Sequence, residues 1–363
     1  MSSARVGVWF AAVAIFALGV LGAACATRPS APTDDGPRVV LVTLDGVRWQ
    51  EVFRGADAGM LAATANRASP VTLAAYLRPG GASARRALVP FLWDTVATRG
   101  QLFGNVDRNS AVRVTNAARI SYPGYHEMLT GFTRPTIIDN RPLPNPDVTV
   151  LEWLHRRPGF AGSVAAFASW DVFRFILNED RSGIPVSRWQ AAGLPPLVDQ
   201  LRRDLPPPWK DSVYDAFVFR TALQFLKDKH PRLLHVALGD TDEWAHAGRY
   251  DRYLEALHRC DGWLRELWQA LETLPAYRGR TSLIVTTDHG RGDTAETWTT
   301  HDAQTPGSEQ AWVAVLGPGV PAGGERHDHP PLALAQVAAT MASLARENYA
   351  AAVKAAAPAL PFY

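Results

Sequence analysis

Of the 363 residues, 47% are hydrophobic and 20% charged, and the 27 Pro and 12 Trp are scattered, so a collagen-like or disordered chain is excluded and a large core is within reach. The formal net charge is +2 and no Lys/Arg block stands out, so no nucleic-acid polymer is expected as a partner. Cys25 lies at the end of an apolar leader, and with Cys25 lipidated only Cys260 remains unmodified, one thiol that makes no internal disulfide and reads as a buried apolar filler.

Residues 1–24 carry one charge, Arg5, followed by a continuous apolar run ending in small residues, the pattern of a secretory signal peptide. The stretch "LGAAC" resembles a bacterial lipoprotein box, with Gly22 where Leu is usual, and would make Cys25 a lipidated N-terminus. An ordinary A-x-A cut, or an uncut membrane anchor, fits the same residues. In each case the chain is expected to work outside the cytoplasm, in the periplasm or on the outer membrane. Residues 25–37 are Pro-rich and polar and read as a tether.

From Arg38 onward, strand-type apolar runs recur: VVLVTL (39–44), SVAAFAS (163–169), LLHVALG (233–239), SLIVTT (282–287) and AWVAVLG (311–317). Helix-type segments lie between them, clearest in residues 261–274, where Trp263, Leu264, Leu267, Trp268, Leu271 and Leu274 repeat at helical spacing. The predicted fold is α/β, with a central, mainly parallel sheet covered by helices on both faces, over residues 38–346. The Pro-rich segment 205–209 reads as a surface loop, and the Ala-rich tail 347–363 as a helix with a loose end.

Three of the runs lead directly into acid: the first into Asp45, the third into Asp240 and Asp242, the fourth into Asp288 and His289. Parallel strands would bring these carboxylates to one edge of the sheet, where ligands collect and where unpaired acids repel unless cations are present. Asp242 and His246 share a helix face at i,i+4 spacing, and His301 follows beyond a glycine-containing loop. Asp242, His246 and His301 then form one three-ligand site, and Asp45, Asp288 and His289 another. Mixed oxygen and nitrogen donors suit Zn2+, or Mn2+, better than Ca2+. Two such ions roughly 4 Å apart make a clamp for displacement at phosphorus.

"VTLDGVRWQEVF", "SYPGYHEMLTG", "DTDEWAH", "TTDHGRGD" and the later His301 occur in the order and with the character of the alkaline phosphatase superfamily, closest to its nucleotide pyrophosphatase/phosphodiesterase-like and sulfatase-related branches. The resemblance covers Arg38 to about Gly319. It implies a three-layer metallohydrolase fold, a nucleophile at Ser121 that also touches a metal, and an Asn at position 140 bonded to a phosphoryl oxygen, with Asn116 and Asn145 also near. It further implies hydrolysis of a small phosphate ester through a phosphoseryl intermediate. Tyr125 stands where the sulfatase pattern C/S-x-P-x-R has Arg, which argues against sulfate esters. A sulfuric ester hydrolase and a non-catalytic metal-binding lipoprotein remain the alternatives.

Several neighbours carry second readings. His126, His327 and His329 read as structural or exposed, Asp293 as a loop-stabilising acceptor, and Trp170 and Phe173 as core or pocket lining. Arg48 and Arg291 sit beside ligands and could meet substrate charge or point outward.

Overall fold

Runs of Val, Leu and Ala without polar alternation become the inner strands of a sheet, because both their faces must be buried. The computed structural model describes residues 36–64, 68–79, 81–187 and 196–362; the leader, Cys25 and the tether as far as Asp35 lie outside them. The strands are β1 (Arg38–Leu44), β2 (Gln101–Phe103), β3 (Val112–Arg113), β4 (Val164–Ala168), β5 (Val186–Ser187), β6 (Leu233–Leu238), β7 (Thr281–Thr286), β8 (Gln310–Ala311), β9 (Val313–Leu316), β10 (Gly324–Glu325) and β11 (Leu332–Ala333). Eight of them form one sheet in the order β10-β2-β9-β7-β1-β6-β4-β5, and β11-β3-β8 form a smaller one.

β1 lies in the middle of the large sheet, parallel to β6 on one side and to β7 on the other. Its alternate residues feed separate cores. Val40, Val42 and Leu44 pack with the long helix Tyr250–Thr273, while Val39 and Leu41 pack with the helices Ser121–Thr130 and Gln336–Leu344. Each such side chain contributes about 1.5–3 kcal/mol relative to exposure, so the three layers are held by apolar burial on both faces. Cys260 belongs to the first of these cores. Among the described residues no helix is long and apolar enough to cross a membrane.

Two local expectations change. The run 311–317 does not form one parallel strand: it splits at Trp312, giving β8 to the small sheet, and β9 pairs antiparallel with both β7 and β2. Only loop and turn lie between β7 and β8, and parallel pairing needs a crossover, usually a helix. The tail is not loose: Leu360 is buried, its N–H donates to Thr340 Oγ1 at 2.8 Å, and Ala357 N–H donates to the Gly131 carbonyl at 2.8 Å. Tyr349 is buried too, and its hydroxyl donates to the Thr130 carbonyl at 3.0 Å. Alanine composition hid this, because the packing rests on two large residues.

Candidate metal centre and nucleophile

The carboxyl ends of β1, β6 and β7 lie side by side, so the acids that follow them meet at one edge of the sheet. Asp45 and Asp288 continue the alternation that places Leu41 of β1 and Ile284 of β7 against the helix Ser121–Thr130. Gly124 lets that helix come close: a Cβ there would lie 2.4 Å from the Asp288 carbonyl oxygen. Gly46, at φ +61°, turns the chain after β1 so that its N–H donates to Asp288 Oδ1 at 3.1 Å; a Cβ there would lie 2.6 Å from Asp242 Oδ1.

The first cluster is Asp45, Asp288 and His289, all buried, with one ligand atom from each lying within 4.8 Å of the others. His289 Nδ1 faces the carbonyl of Gly290 at 2.9 Å, which assigns the ring proton to Nδ1 and leaves Nε2 a lone pair. That lone pair faces Asp45 Oδ1 at 3.3 Å and Asp288 Oδ2 at 3.4 Å, and both oxygens are buried without a hydrogen-bond partner. Three electron-pair donors with no proton between them repel one another, so the donor set fits a bound cation. Burial, with the Asp242 charge adding to it, pushes Asp45 well above the usual carboxylate range; burial and the Asp45 charge do the same to Asp288. A divalent ion would reverse both shifts.

The second cluster joins Asp242 and His246, on the helix Asp240–His246, to His301. The helical spacing sets His246 Nε2 3.2 Å from Asp242 Oδ2, and His301 Nε2 lies 3.0 Å from His246 Nε2. His301 Nδ1 faces the Arg119 carbonyl at 3.3 Å, so its Nε2 lone pair also points inward. Asp242 Oδ1 is 3.7 Å from His301 Nε2 and 3.9 Å from His289 Nε2, and it stands between the clusters. Burial acts to raise the Asp242 carboxyl, but Arg291 and the two histidines hold it well below its ordinary value. Burial and then His289 push His301 well below the usual imidazole range. The His246 side chain is 47% exposed, so this cluster is open to solvent.

Asp240 lies outside both clusters. Its carboxylate accepts from Asp215 N–H at 3.0 Å and pairs with Arg259 at 3.3 Å, so of the two acids it is Asp242 that stands with His246 and His301. Neither candidate arginine faces a substrate. Arg48 is bound to Glu51 and to the Gly292 carbonyl, and Arg291 is buried against Asp242 with a second bond to the Thr299 carbonyl. A charged residue directly after "DHG" gave no sequence signal that it would turn inward.

Ser121 opens its helix, with Oγ 3.3 Å from His289 Nε2. Asn140 is joined to the same helix start: its Oδ1 accepts from Tyr122 N–H at 2.9 Å, and the residue is exposed. The other two asparagines are held elsewhere, Asn116 by Glu127 and Asn145 by the Ile176 carbonyl. His126 is buried against Asp147, Asp293 accepts from Gln50, and Phe173 packs on Tyr125 within the core. Two further residues touch Asp45: Tyr125, which the sequence marks only as departing from the sulfatase pattern and whose hydroxyl donates to Oδ2 at 3.2 Å, and Thr241, which carries no sequence signal and whose hydroxyl donates to the Asp45 backbone carbonyl at 2.6 Å.

A family model described as type I phosphodiesterase/nucleotide pyrophosphatase matches residues 92–359, which takes in every site residue except Asp45. No curated protein matches the chain by sequence. Among solved structures, a protein in complex with its substrate D-glucosamine-2-N,6-O-disulfate superposes with a TM-score of 0.58 at 11% identity, over 89% of this chain and 79% of the other. A phosphonate monoester hydrolase of Agrobacterium radiobacter gives 0.52 at 16% identity over 85% and 74%. A protein in the alkaline phosphatase superfamily from Vibrio parahaemolyticus gives 0.52 at 13% over 86% and 67%. At these identities the likeness is one of fold.

Proposed function

Because the chain belongs to the type I phosphodiesterase/nucleotide pyrophosphatase family, within the alkaline phosphatase superfamily of metal-dependent hydrolases, we propose that it cleaves small phosphate esters with Ser121 as nucleophile. The observation that carries this reading is Ser121 Oγ standing at a helix N-terminus, 3.3 Å from the inward-facing nitrogen of His289. Asp45, Asp288 and His289 would hold one divalent ion and Asp242, His246 and His301 a second, with Zn2+ favoured by the mixed donors and Mn2+ next. Bound there, the ions supply Lewis-acid charge beside the serine oxygen and the ester.

The chain's own groups account for the rest. The helix start offers the Ser121 N–H and partial positive charge to the incoming phosphoryl oxygens, the Tyr122 N–H being held by Asn140 and the Gly124 N–H by the Ile120 carbonyl. Asn140 uses its oxygen on Tyr122 N–H, which leaves its NH2 group to donate to a non-bridging oxygen. Ser121 Oγ gives up its proton to solvent and forms a bond to phosphorus as the bond to the leaving oxygen breaks on the opposite side, and that oxygen takes up a proton from solvent as it departs. Water then attacks the phosphoseryl group, restoring the serine and releasing phosphate or a phosphomonoester.

Against sulfate esters stands Tyr125, which occupies the sulfatase arginine position and donates to Asp45. The discriminating experiment measures hydrolysis of p-nitrophenyl phosphate, bis-p-nitrophenyl phosphate and p-nitrophenyl sulfate by residues 26–363, with and without chelator. Phosphate-ester cleavage is expected to be lost with EDTA, to return with Zn2+ or Mn2+, and to vanish in Ser121→Ala. Cleavage of the sulfate alone would reject the substrate class, and a fully active Ser121→Ala would reject the nucleophile. Export under the 1–24 leader with lipidation at Cys25 completes the proposal. It rests on sequence alone and is checked by fatty-acid labelling of wild type against Cys25→Ser.

A further inference from the structure

Glu127, on the helix that Ser121 opens, is fully buried and takes no part in the reaction scheme. Its side chain turns back on the loop that leads into that helix. Thr115 donates to it through its N–H, at 3.0 Å to each oxygen, and through its hydroxyl, to Oε1 at 2.7 Å. Asn116 donates to Oε2 through its N–H at 2.9 Å and through its side-chain NH2 at 3.0 Å. Every group that meets the carboxylate in these bonds is a donor, so both oxygens are engaged in holding the two residues.

Asn116 passes the constraint on. With its NH2 on Glu127, its Oδ1 accepts from the Arg119 N–H at 2.7 Å. Arg119 sits at φ +54°, a left-handed conformation that costs a residue with a Cβ about 1–2 kcal/mol, so the turn has to be held by its surroundings. Asn116 holds its N–H, and Glu309 holds its side chain, Oε2 accepting from the guanidinium at 3.1 Å. The Arg119 carbonyl then faces His301 Nδ1 at 3.3 Å. Held there, and stacked on the His289 ring with centroids 3.7 Å apart, the His301 ring presents Nε2 toward His246 and Asp242.

We infer that Glu127 is a positioning residue for the second metal cluster: through Asn116 it sets the Arg119 carbonyl, and that carbonyl fixes the ring of His301. Because Arg119 lies two residues before Ser121, the same brace ties the nucleophile's helix to a ligand that comes from a distant loop. The inference rests on reading His301 as a metal ligand, and outer partners of a ligating histidine commonly change metal affinity by roughly tenfold to a hundredfold.

The test is a competitive titration of the full chain, stripped of metal, with Zn2+ against a chromophoric chelator, with melting curves to confirm that each variant is folded. Asn116→Ala removes the link to the Arg119 N–H, and Glu127→Gln keeps shape while setting an NH2 group among the donors of Thr115 and Asn116. Asn116→Ala is expected to weaken one of the two ions by about tenfold while the other stays unchanged. Glu127→Gln should weaken the same ion, and the double variant should lose less than the sum of the two. In a His301→Ala background, Asn116→Ala should cost nothing further. Unchanged affinities in Asn116→Ala, equal weakening of both ions, or the same loss with and without His301 would overturn the inference. Wild-type affinity for both ions in His301→Ala would overturn the ligand assignment beneath it.

Discussion

Stripping the metals is expected to destabilise the protein in a way that depends on pH. In each cluster one ligand atom per residue lies within 4.8 Å of the others. Two ionised carboxylates at that separation repel by about 3.5 kcal/mol at an effective dielectric near 20. Without cations the fold relieves this by keeping protons on Asp45 and Asp288, whose affinities are raised by burial and by neighbouring carboxylates. A carboxyl raised in the folded state favours the fold at low pH, and that contribution is lost as pH climbs from the unfolded value near 3.9 through the raised one. Metal binding needs the deprotonated ligands, so its affinity moves the opposite way. With free Zn2+ at a thousandfold excess over its dissociation constant, each site adds about 4 kcal/mol, or about 8 for two. For the roughly 315 described residues, an unfolding entropy near 2.1 cal/mol/K per residue converts this to a Tm difference on the order of 10 °C. Differential scanning calorimetry of chelated and Zn2+-loaded protein at pH 6 and pH 8.5 should show a larger gap at the higher pH. A Tm indifferent to chelator, or an equal gap in Asp45→Asn, would refute the reasoning.

Asn140→Ala should lower kcat by about a hundredfold to a thousandfold, as loss of one oriented donor to a developing oxyanion does elsewhere, with both metals retained by elemental analysis. Gly124→Ala places a methyl where the Asp288 carbonyl already stands, and about 1–3 kcal/mol of stability should be lost together with most activity, read by denaturant midpoint and turnover. Asp261 accepts the N–H groups of Phe91 and Leu92, and burial pushes its carboxyl up to about 7 despite those bonds. Its raised value means that stability falls as pH rises from about 4 to 7, so Asp261→Asn should gain on wild type across that window in denaturant midpoints. A constant difference would contradict the burial argument.

Much of the site could be read from sequence because its cues are local. An acid at the end of an apolar run needs only the sheet to be parallel, and Asp242 with His246 needs only a helix between them. Ser121 and Asn140 came instead from the order of motifs, and their adjacency through Tyr122 N–H became visible only in three dimensions. Arg291 could not be foreseen, since nothing in "HGRGD" says that the guanidinium will lie on Asp242 rather than in solvent. Tyr125 was noted as a missing arginine, while its actual contact depends on how the helix sits over β1. The reversed β9 and the packed tail were missed for a shared reason: a run of apolar or alanine residues carries neither direction nor partner.

The position of β1 has a consequence for how the enzyme comes into being. Its two neighbours begin at Leu233 and Thr281, so the first strand to be translated waits for about two thirds of the chain before it can pair with β6, and longer still for β7. Contacts of such sequence separation make folding slow. Ligands drawn from residues 45 through 301 cannot gather in a nascent fragment. An ion that enters is therefore chosen by the supply at the place where folding ends.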